Sequence, residues 1–167
     1  MLFNTDESFF EQNTVQCAKS MIGSRIRHGA FSGIITETEA YRGRDDAASH
    51  AFKGPTKRSQ IMFGPPGVVY VYLIYGMHCC MNIVTEPDGQ PGAVLLRAVR
   101  DGSMTVSGPG RLCRFLDINR EHNGTVIASS SEIDFELNHC NQPYITATRV
   151  GIKKDQDKPW RFIQKKG

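Results

Sequence analysis

One mixed domain, built from antiparallel strands with a few short helices, is the fold class the sequence predicts. Three observations predict it. The chain has 167 residues, the length of a single domain able to bury its own core. Its densest β signal is a pair of alternating runs, 68–74 and 78–85, joined at Tyr75-Gly76-Met77 in the manner of a hairpin. Two segments with helical spacing, 14–22 and 111–118, lie outside that hairpin.

Each element has a local reason. Residues 1–13 are polar apart from Phe9 and Phe10 and are expected to run along the surface and dock. Over 14–22, Val15, Ala18, Met21 and Ile22 share one helical face, and Gly23 is placed to cap the C-terminus. Ile26 belongs to a short strand, 28–30 to a turn and 33–41 to a longer strand. Alternation along that strand puts Glu37, Glu39 and Tyr41 on one face and Thr36, Thr38 and Ala40 on the other. Residues 42–56 form a loop with a helical turn at 45–50 that Asp45 or Asp46 could cap. Phe63-Gly64-Pro65-Pro66-Gly67 makes a rigid turn into the hairpin. After a polar connection at 86–92, residues 93–99 read as a buried strand that Arg97 interrupts. Gly108-Pro109-Gly110 opens the second helix. Residues 119–143 read as a loop region with one strand near 132–137, residues 144–152 end in a strand, and 159–162 begin the last segment. No repeat, low-complexity tract or linker divides the chain, so 1–167 is one domain.

Composition narrows the partners. Apolar residues are 40% and charged residues 22% of the chain, ordinary for a soluble protein. No apolar run approaches the ~20 residues a bilayer-spanning helix needs, and the first residues carry no basic leader, so neither membrane insertion nor export is expected. Cys17, Cys79, Cys80, Cys113 and Cys140 fit no zinc spacing and are expected as reduced thiols. The net charge of +3 is unevenly spread. Residues 149–167 hold seven bases against Asp155 and Asp157, while 116–140 hold five acids against Arg120. One basic and one acidic surface suit a polyanion approached from one side.

Chemistry concentrates in residues 34–98. Two carboxylates and a phenol on one strand face must be solvated or partnered, so that face is either an edge or a cleft wall. A buried Arg97 needs a carboxylate, and Glu39 is the expected partner. His50 lies close enough in sequence for its loop to fold back over the strand. Lys53, Lys57 and Arg58 could contact phosphate, as could the amides around Gly108 and Gly110. Tyr75 is large for a surface turn, and a hairpin tip carrying Tyr75 and Met77 can act as a wedge between base pairs.

Eight segments, in order, resemble the alkyladenine (3-methyladenine) DNA glycosylase family of the monofunctional bacterial and mammalian type. They are E-T-E-A-Y at 37–41, A-S-H-A at 48–51, M-F-G-P-P-G at 62–67, Y-V-Y-L-I-Y-G-M-H-C-C-M-N at 70–82, V-L-L-R-A at 94–98, G-P-G-R-L at 108–112, R-V-G-I at 149–152 and P-W-R-F at 159–162. The resemblance implies an α+β domain with a curved antiparallel sheet at its centre, surrounding helices and a protruding hairpin. It implies excision of alkylated or deaminated purines from double-stranded DNA by a monomer without cofactor or metal, in the cytoplasm of a bacterium or the nucleus of a eukaryote. Residue by residue, it makes Glu39 the general base, Arg97 a holder of the nucleophilic water and Val150 the donor of a backbone carbonyl to that water. Tyr41, His50 and Tyr72 would enclose the flipped base, with Asn82 screening its minor-groove edge. Tyr75 would fill the gap in the duplex, with Met77 and Cys80 beside it at the DNA surface. Two departures stand out: Ser59 follows Arg58 where the family usually has Asn, and the chain stops five residues after Phe162.

The residues suit that chemistry. A flat slot of aromatic side chains attracts a cationic alkylated purine, and the positive ring is a good leaving group. A placed water and a carboxylate then suffice. No lysine is expected in the central constellation, which points to hydrolysis without a Schiff base. Two rivals are a damaged-DNA-binding module without catalysis, and a metal hydrolase using His50, His78, Cys79 and Cys80. Neighbouring strand residues point to opposite faces, which disfavours the second.

Overall fold

Asn13 determines where the first helix begins. Its Oδ1 accepts the Val15 N–H at 2.9 Å and the Gln16 N–H at 3.4 Å, and α1 runs over Thr14–Met21. Its buried face is Thr14, Cys17, Ala18 and Met21, spaced as a core-facing helical stripe requires; Val15 is only partly buried. The computed structural model describes residues 7–127 and 132–166. Of the expected lead-in, 1–6 lie outside the described residues, but Phe9 and Phe10 do dock. Phe10 is fully buried, edge-on to Phe135 with ring centroids 5.4 Å apart.

The other elements are β1 (Arg25–His28), β2 (Phe31–Tyr41), β3 (Val69–Ile74), β4 (His78–Val84), β5 (Ala93–Asp101), β6 (Met104–Ser107), α2 (Pro109–Phe115), β7 (Ile133–Glu136), β8 (Tyr144–Ala147) and β9 (Arg161–Gln164). The strands form one antiparallel sheet, ordered β3-β4-β5-β2-β1-β7 along its main path. The two long strands carry extra partners. β5 pairs with β4 near one end and β6 near the other, and β2 pairs in the same way with β9 and β1. The sheet curls into a half-barrel, with α1 and α2 packed on it, as an α+β domain. No helix among the described residues is long and apolar enough to cross a membrane.

Two compensating bulges at the centre of the sheet decide what each face carries. Ile35 pairs with Val99, Glu37 with Ala98 and Thr38 with Leu96, so Thr36 is extra in β2 and Arg97 extra in β5. Strict alternation would put Ile35 and Ala40 on opposite faces, and likewise Leu96 and Val99. With the bulges all four join the main core. Glu37, Glu39 and Tyr41 keep a shared face, as the alternation predicts, while Thr36 does not follow it.

Three segments differ from the sequence reading. The second helix starts at Pro109, whose missing N–H is harmless at a first helical position. It stops at Phe115 rather than 118, because Asp117 turns the chain with φ 56°. In 144–152 the strand occupies the beginning, not the end. Gly151 has φ 74°, and Arg149 leaves the sheet to pair with Asp46. Residues 45–50 are successive turns rather than a helical turn, and Asp46 binds the Arg42 N–H at 2.9 Å and the Ala48 N–H at 3.2 Å.

That Asp46 also receives both Arg149 Nη atoms, at 2.7 and 2.8 Å, with both side chains fully buried. Arg149 Nη1 further donates to Ala40 O at 3.0 Å, and Ala47 N–H donates to Asp155 Oδ2 at 2.6 Å. Loop 42–50 and loop 148–158 are therefore clamped together over the end of β2. Removing one partner leaves an uncompensated buried charge. Asp46→Ala is expected to lower stability by about 3–5 kcal/mol, read from urea unfolding.

Candidate active site

The clamped loops and the sheet enclose a cavity of about 480 Å³, a size suited to a small molecule or a single base. Its floor comes from alternate residues of the central strands: Glu39 and Tyr41 of β2, Tyr70 and Tyr72 of β3, Asn82 of β4, Leu95 and Arg97 of β5. The opposite residues of those strands, among them Val71, Met81 and Leu96, face the main core. A second apolar cluster of Ala51, Met62, Tyr70, Val84 and Ala93 supports the cavity from the 42–63 side.

Glu39 is fully buried at the base of this cavity. Its Oε1 accepts the Tyr41 hydroxyl at 2.8 Å and its Oε2 the Val150 N–H at 2.7 Å. Burial holds the carboxyl above the usual range, while Arg97, the Val150 N–H and the Tyr41 hydroxyl pull it back. Arg97 is not the simple partner of Glu39 that was expected. Its Nε donates to Glu37 Oε2 at 2.9 Å, and its Nη1 stands 3.6 Å from Glu39 Oε1. Glu37 was recognised as sharing the face but given no role; the strand period shows it, whereas its hold on Arg97 depends on the bulge. Val150 meets the carboxylate through its amide N–H, a contact separate from the carbonyl that the resemblance assigns to the water. The clamp behind Tyr41 also escaped the sequence reading: Arg149 lies 4.7 Å over the Tyr41 ring and 5.1 Å over Trp160.

His50 packs edge-on to Tyr72, with centroids 4.7 Å apart. Its Nε2 is 3.3 Å from Arg58 Nη2, a group that can only donate, so Nε2 accepts and the proton sits on Nδ1, which donates to Tyr70 Oη at 3.0 Å. Packing against the tyrosines and the nearby Arg58 push the ring down to about 4, although one edge faces solvent. Arg58 was expected on phosphate; here its guanidinium lies 5.0 Å over the Tyr72 ring at the cavity mouth. Asn82 is buried, its amide nitrogen donating to Tyr70 O at 3.2 Å. Lys153 and Lys154 are exposed on the same mouth, two lysines the sequence reading left out of the site.

The hairpin beside the cavity ends in Tyr75 and Met77, 91% and 71% exposed. Tyr75 and Gly76 have φ 53° and 69°, and Met77 N–H closes the turn on Ile74 O at 3.2 Å. Positive φ at both central residues is what a tight hairpin turn requires, and for a tyrosine it costs about 1–3 kcal/mol. Cys80 departs from the expected DNA surface: it is fully buried beside Tyr72 on the cavity face of the sheet, its thiol pushed up to about 11 by that burial. Gly108 donates its N–H to Arg97 O at 2.7 Å and has φ 107°. Gly110 packs against His78, the β4 residue next to the hairpin tip, where a Cβ would come within 3.3 Å. This places the start of α2 between the hairpin and the cavity.

Residues 8–167 match the family described as Methylpurine-DNA glycosylase (MPG). The chain belongs to that family. The protein named "Putative 3-methyladenine DNA glycosylase" in Ehrlichia ruminantium (strain Welgevonden) is 45% identical over 163 residues, covering 94% of this chain and 87% of that protein. Proteins of the same name in Wolbachia sp. subsp. Brugia malayi and Rickettsia felis are 46% and 44% identical over 158 residues each, covering 93% of this chain and 94% and 89% of their own. In this DNA glycosylase the fold closes a cavity around one buried carboxylate.

One other group of ionisable residues in the glycosylase invites comparison. His28, His122 and Glu132 bring their ligand atoms within 4.8 Å of one another. His122 Nδ1 accepts the Asn119 N–H at 3.0 Å, so its proton is on Nε2, facing Glu132 at 3.4 Å. A metal on that Nε2 would have to displace the proton and break the Asn119 turn. His50, His78, Cys79 and Cys80 form no such group among the described residues.

His50 is expected to titrate in NMR with a midpoint near 4, not near ~6.5. Because its folded value is depressed, its contribution to stability is present above the unfolded value and is lost as pH falls from about 6.5 towards 4. Arg58→Ala should raise the midpoint.

Proposed function

We propose that this protein hydrolyses the N-glycosidic bond of alkylated purines, 3-methyladenine and 7-methylguanine foremost, after rotating the damaged nucleotide out of duplex DNA. The observation that carries the reading is Glu39: a fully buried carboxylate, anchored on both oxygens, at the end of an aromatic cavity of about 480 Å³. A carboxylate so placed can take a proton from water and steady the positive sugar of the transition state. Tyr41, His50 and Tyr72 supply the slot. A purine alkylated at N3 or N7 carries positive charge, which aromatic faces attract by about 1–2 kcal/mol. His50, neutral with its Nδ1 proton committed to Tyr70, does not repel that charge.

Flipping leaves a gap in the duplex, and Tyr75 on the strained hairpin tip is the side chain suited to fill it, with Met77 beside it. Arg58, Lys153 and Lys154 at the cavity mouth, with the backbone at Gly108 and Gly110, suit the phosphates flanking the flipped nucleotide. Hypoxanthine and 1,N6-ethenoadenine are further candidate substrates, for which protonation of the leaving base matters more. Asn82 at the purine's minor-groove edge would disfavour the exocyclic amine of normal guanine. Direct hydrolysis is preferred over a Schiff base, because an amine nucleophile is activated by desolvation and Lys153 and Lys154 are exposed.

Single-turnover base release from duplexes carrying 3-methyladenine, 7-methylguanine, hypoxanthine or 1,N6-ethenoadenine, in EDTA, tests the reading. Glu39→Gln should slow release by at least about 100-fold while binding to an abasic-analogue duplex is kept. Tight binding without release from any duplex by the wild type would instead identify a damage-binding module. Tyr75→Ser should weaken flipping, seen as a smaller fluorescence rise from 2-aminopurine opposite the lesion. Borohydride should trap no covalent DNA adduct; a trapped adduct would point to Lys153 or Lys154.

A further inference from the structure

We propose that Glu37 is a positioning residue: it holds Arg97 back from Glu39 and so leaves one lone pair of the Glu39 carboxylate without a protein donor, free to take up the water of the reaction. The inference rests on the reading of Glu39 as the general base.

An ionised carboxylate has about four acceptor sites. On Glu39, Oε1 takes the Tyr41 hydroxyl and faces Arg97 Nη1 at 3.6 Å, and Oε2 takes the Val150 N–H. One site on Oε2 is left. A guanidinium is a planar fork that closes on a carboxylate with two parallel hydrogen bonds, and that closure would take the remaining site. Arg97 does not close: its Nε bond to Glu37 at 2.9 Å sets the direction of the fork and leaves Nη1 3.6 Å from Glu39 Oε1. Glu37 is itself steadied from the other side: its Oε1 lies 3.6 Å from Arg161 Nη1, and Arg161 Nε donates to Thr148 O at 2.7 Å. The bulge that makes Arg97 the extra residue of β5, opposite the Glu37–Ala98 pair, is what brings these groups together.

The groups facing Glu39 are Tyr41 from its own strand, Arg97 from β5, Arg161 from β9, the Cys80 thiol from β4, and Arg149 and the Val150 amide from the loop after β8, with Glu37 bound to the far side of Arg97. Without Glu37, the Arg97 charge is no longer shared and Arg97 is free to close on Glu39, which favours the ionised form and lowers the Glu39 pKa. A base acts when deprotonated, so the acid limb of the pH–rate profile moves to lower pH even as the rate falls.

The test is single-turnover release of base from a 7-methylguanine duplex, a cationic leaving group that needs no protonation. Wild type, Glu37→Ala, Glu37→Gln and Glu39→Gln are compared across pH, with melting temperatures and abasic-analogue binding measured alongside. Glu37→Ala is expected to slow release by about tenfold or more, shift the acid limb down by about half a pH unit or more, and keep binding within about threefold. Glu37→Gln retains an oxygen for Arg97 Nε and should recover part of the rate while the limb stays displaced. A rate loss with an unmoved acid limb, or a wild-type rate and limb in Glu37→Ala, overturns the proposal. If Glu37→Ala does not fold, the limb of Glu37→Gln decides. Wild-type release by Glu39→Gln would instead remove the general-base reading itself.

Discussion

A carboxylate with no solvent exposure must be compensated, and in this protein that constraint reaches from the centre of the sheet to the last strand. Glu39 draws on a hydroxyl from its own strand, an amide from the loop after β8 and a guanidinium from β5. Each donor is useful only if its backbone is held. The bulges hold Arg97, and the Asp46–Arg149 pair holds the segment that ends in Val150. The compensation is partial by design of the geometry, since burial still dominates and the carboxyl is raised. A raised carboxyl is a stronger base than an ordinary one once it has lost its proton, which suits the abstraction of a proton from water.

The two faces of the sheet separate stability from chemistry. Phe10, Met21, Ile26, Leu96, Phe135 and Phe162 fill one side, where the buried Thr38 hydroxyl is satisfied by Ala18 O. The other side carries the tyrosines, Asn82, Arg97 and the carboxylates, and is roofed by loops instead of helices. The bulges reconcile these demands. They let β2 and β5 keep an unbroken core while turning Glu37 and Arg97 towards each other. Membership of the methylpurine-DNA glycosylase family is carried by both faces together, because the match spans residues 8–167.

Arg58 shows how a free side chain can sit where a ligand is expected. Its guanidinium covers part of Tyr72 and touches His50, the surfaces proposed to receive a cationic purine. A flat cation resting on that ring is physically similar to the proposed ligand, and both are attracted by the same quadrupole. The tautomer of His50 follows from the contact, since a donor at Nε2 obliges the proton to be on Nδ1.

Strand alternation by itself determined that Glu37, Glu39 and Tyr41 share a face, that 68–85 is a hairpin with Tyr75 at its tip, and that Arg97 needs a carboxylate. The ordered segments from E-T-E-A-Y to P-W-R-F were enough to point to the family. These are local signals, set by a period of two, by turn chemistry and by residue order. Which carboxylate Arg97 chose was not local. It followed from a register shift between strands some sixty residues apart, which no single strand encodes. The same holds for Asp46 and Arg149, 103 residues apart, for the burial of Cys80, and for the arrival of Lys153 and Lys154 at the cavity mouth. Partner choice in a buried network depends on which chains the fold brings within hydrogen-bond reach, and only the tertiary structure decides that.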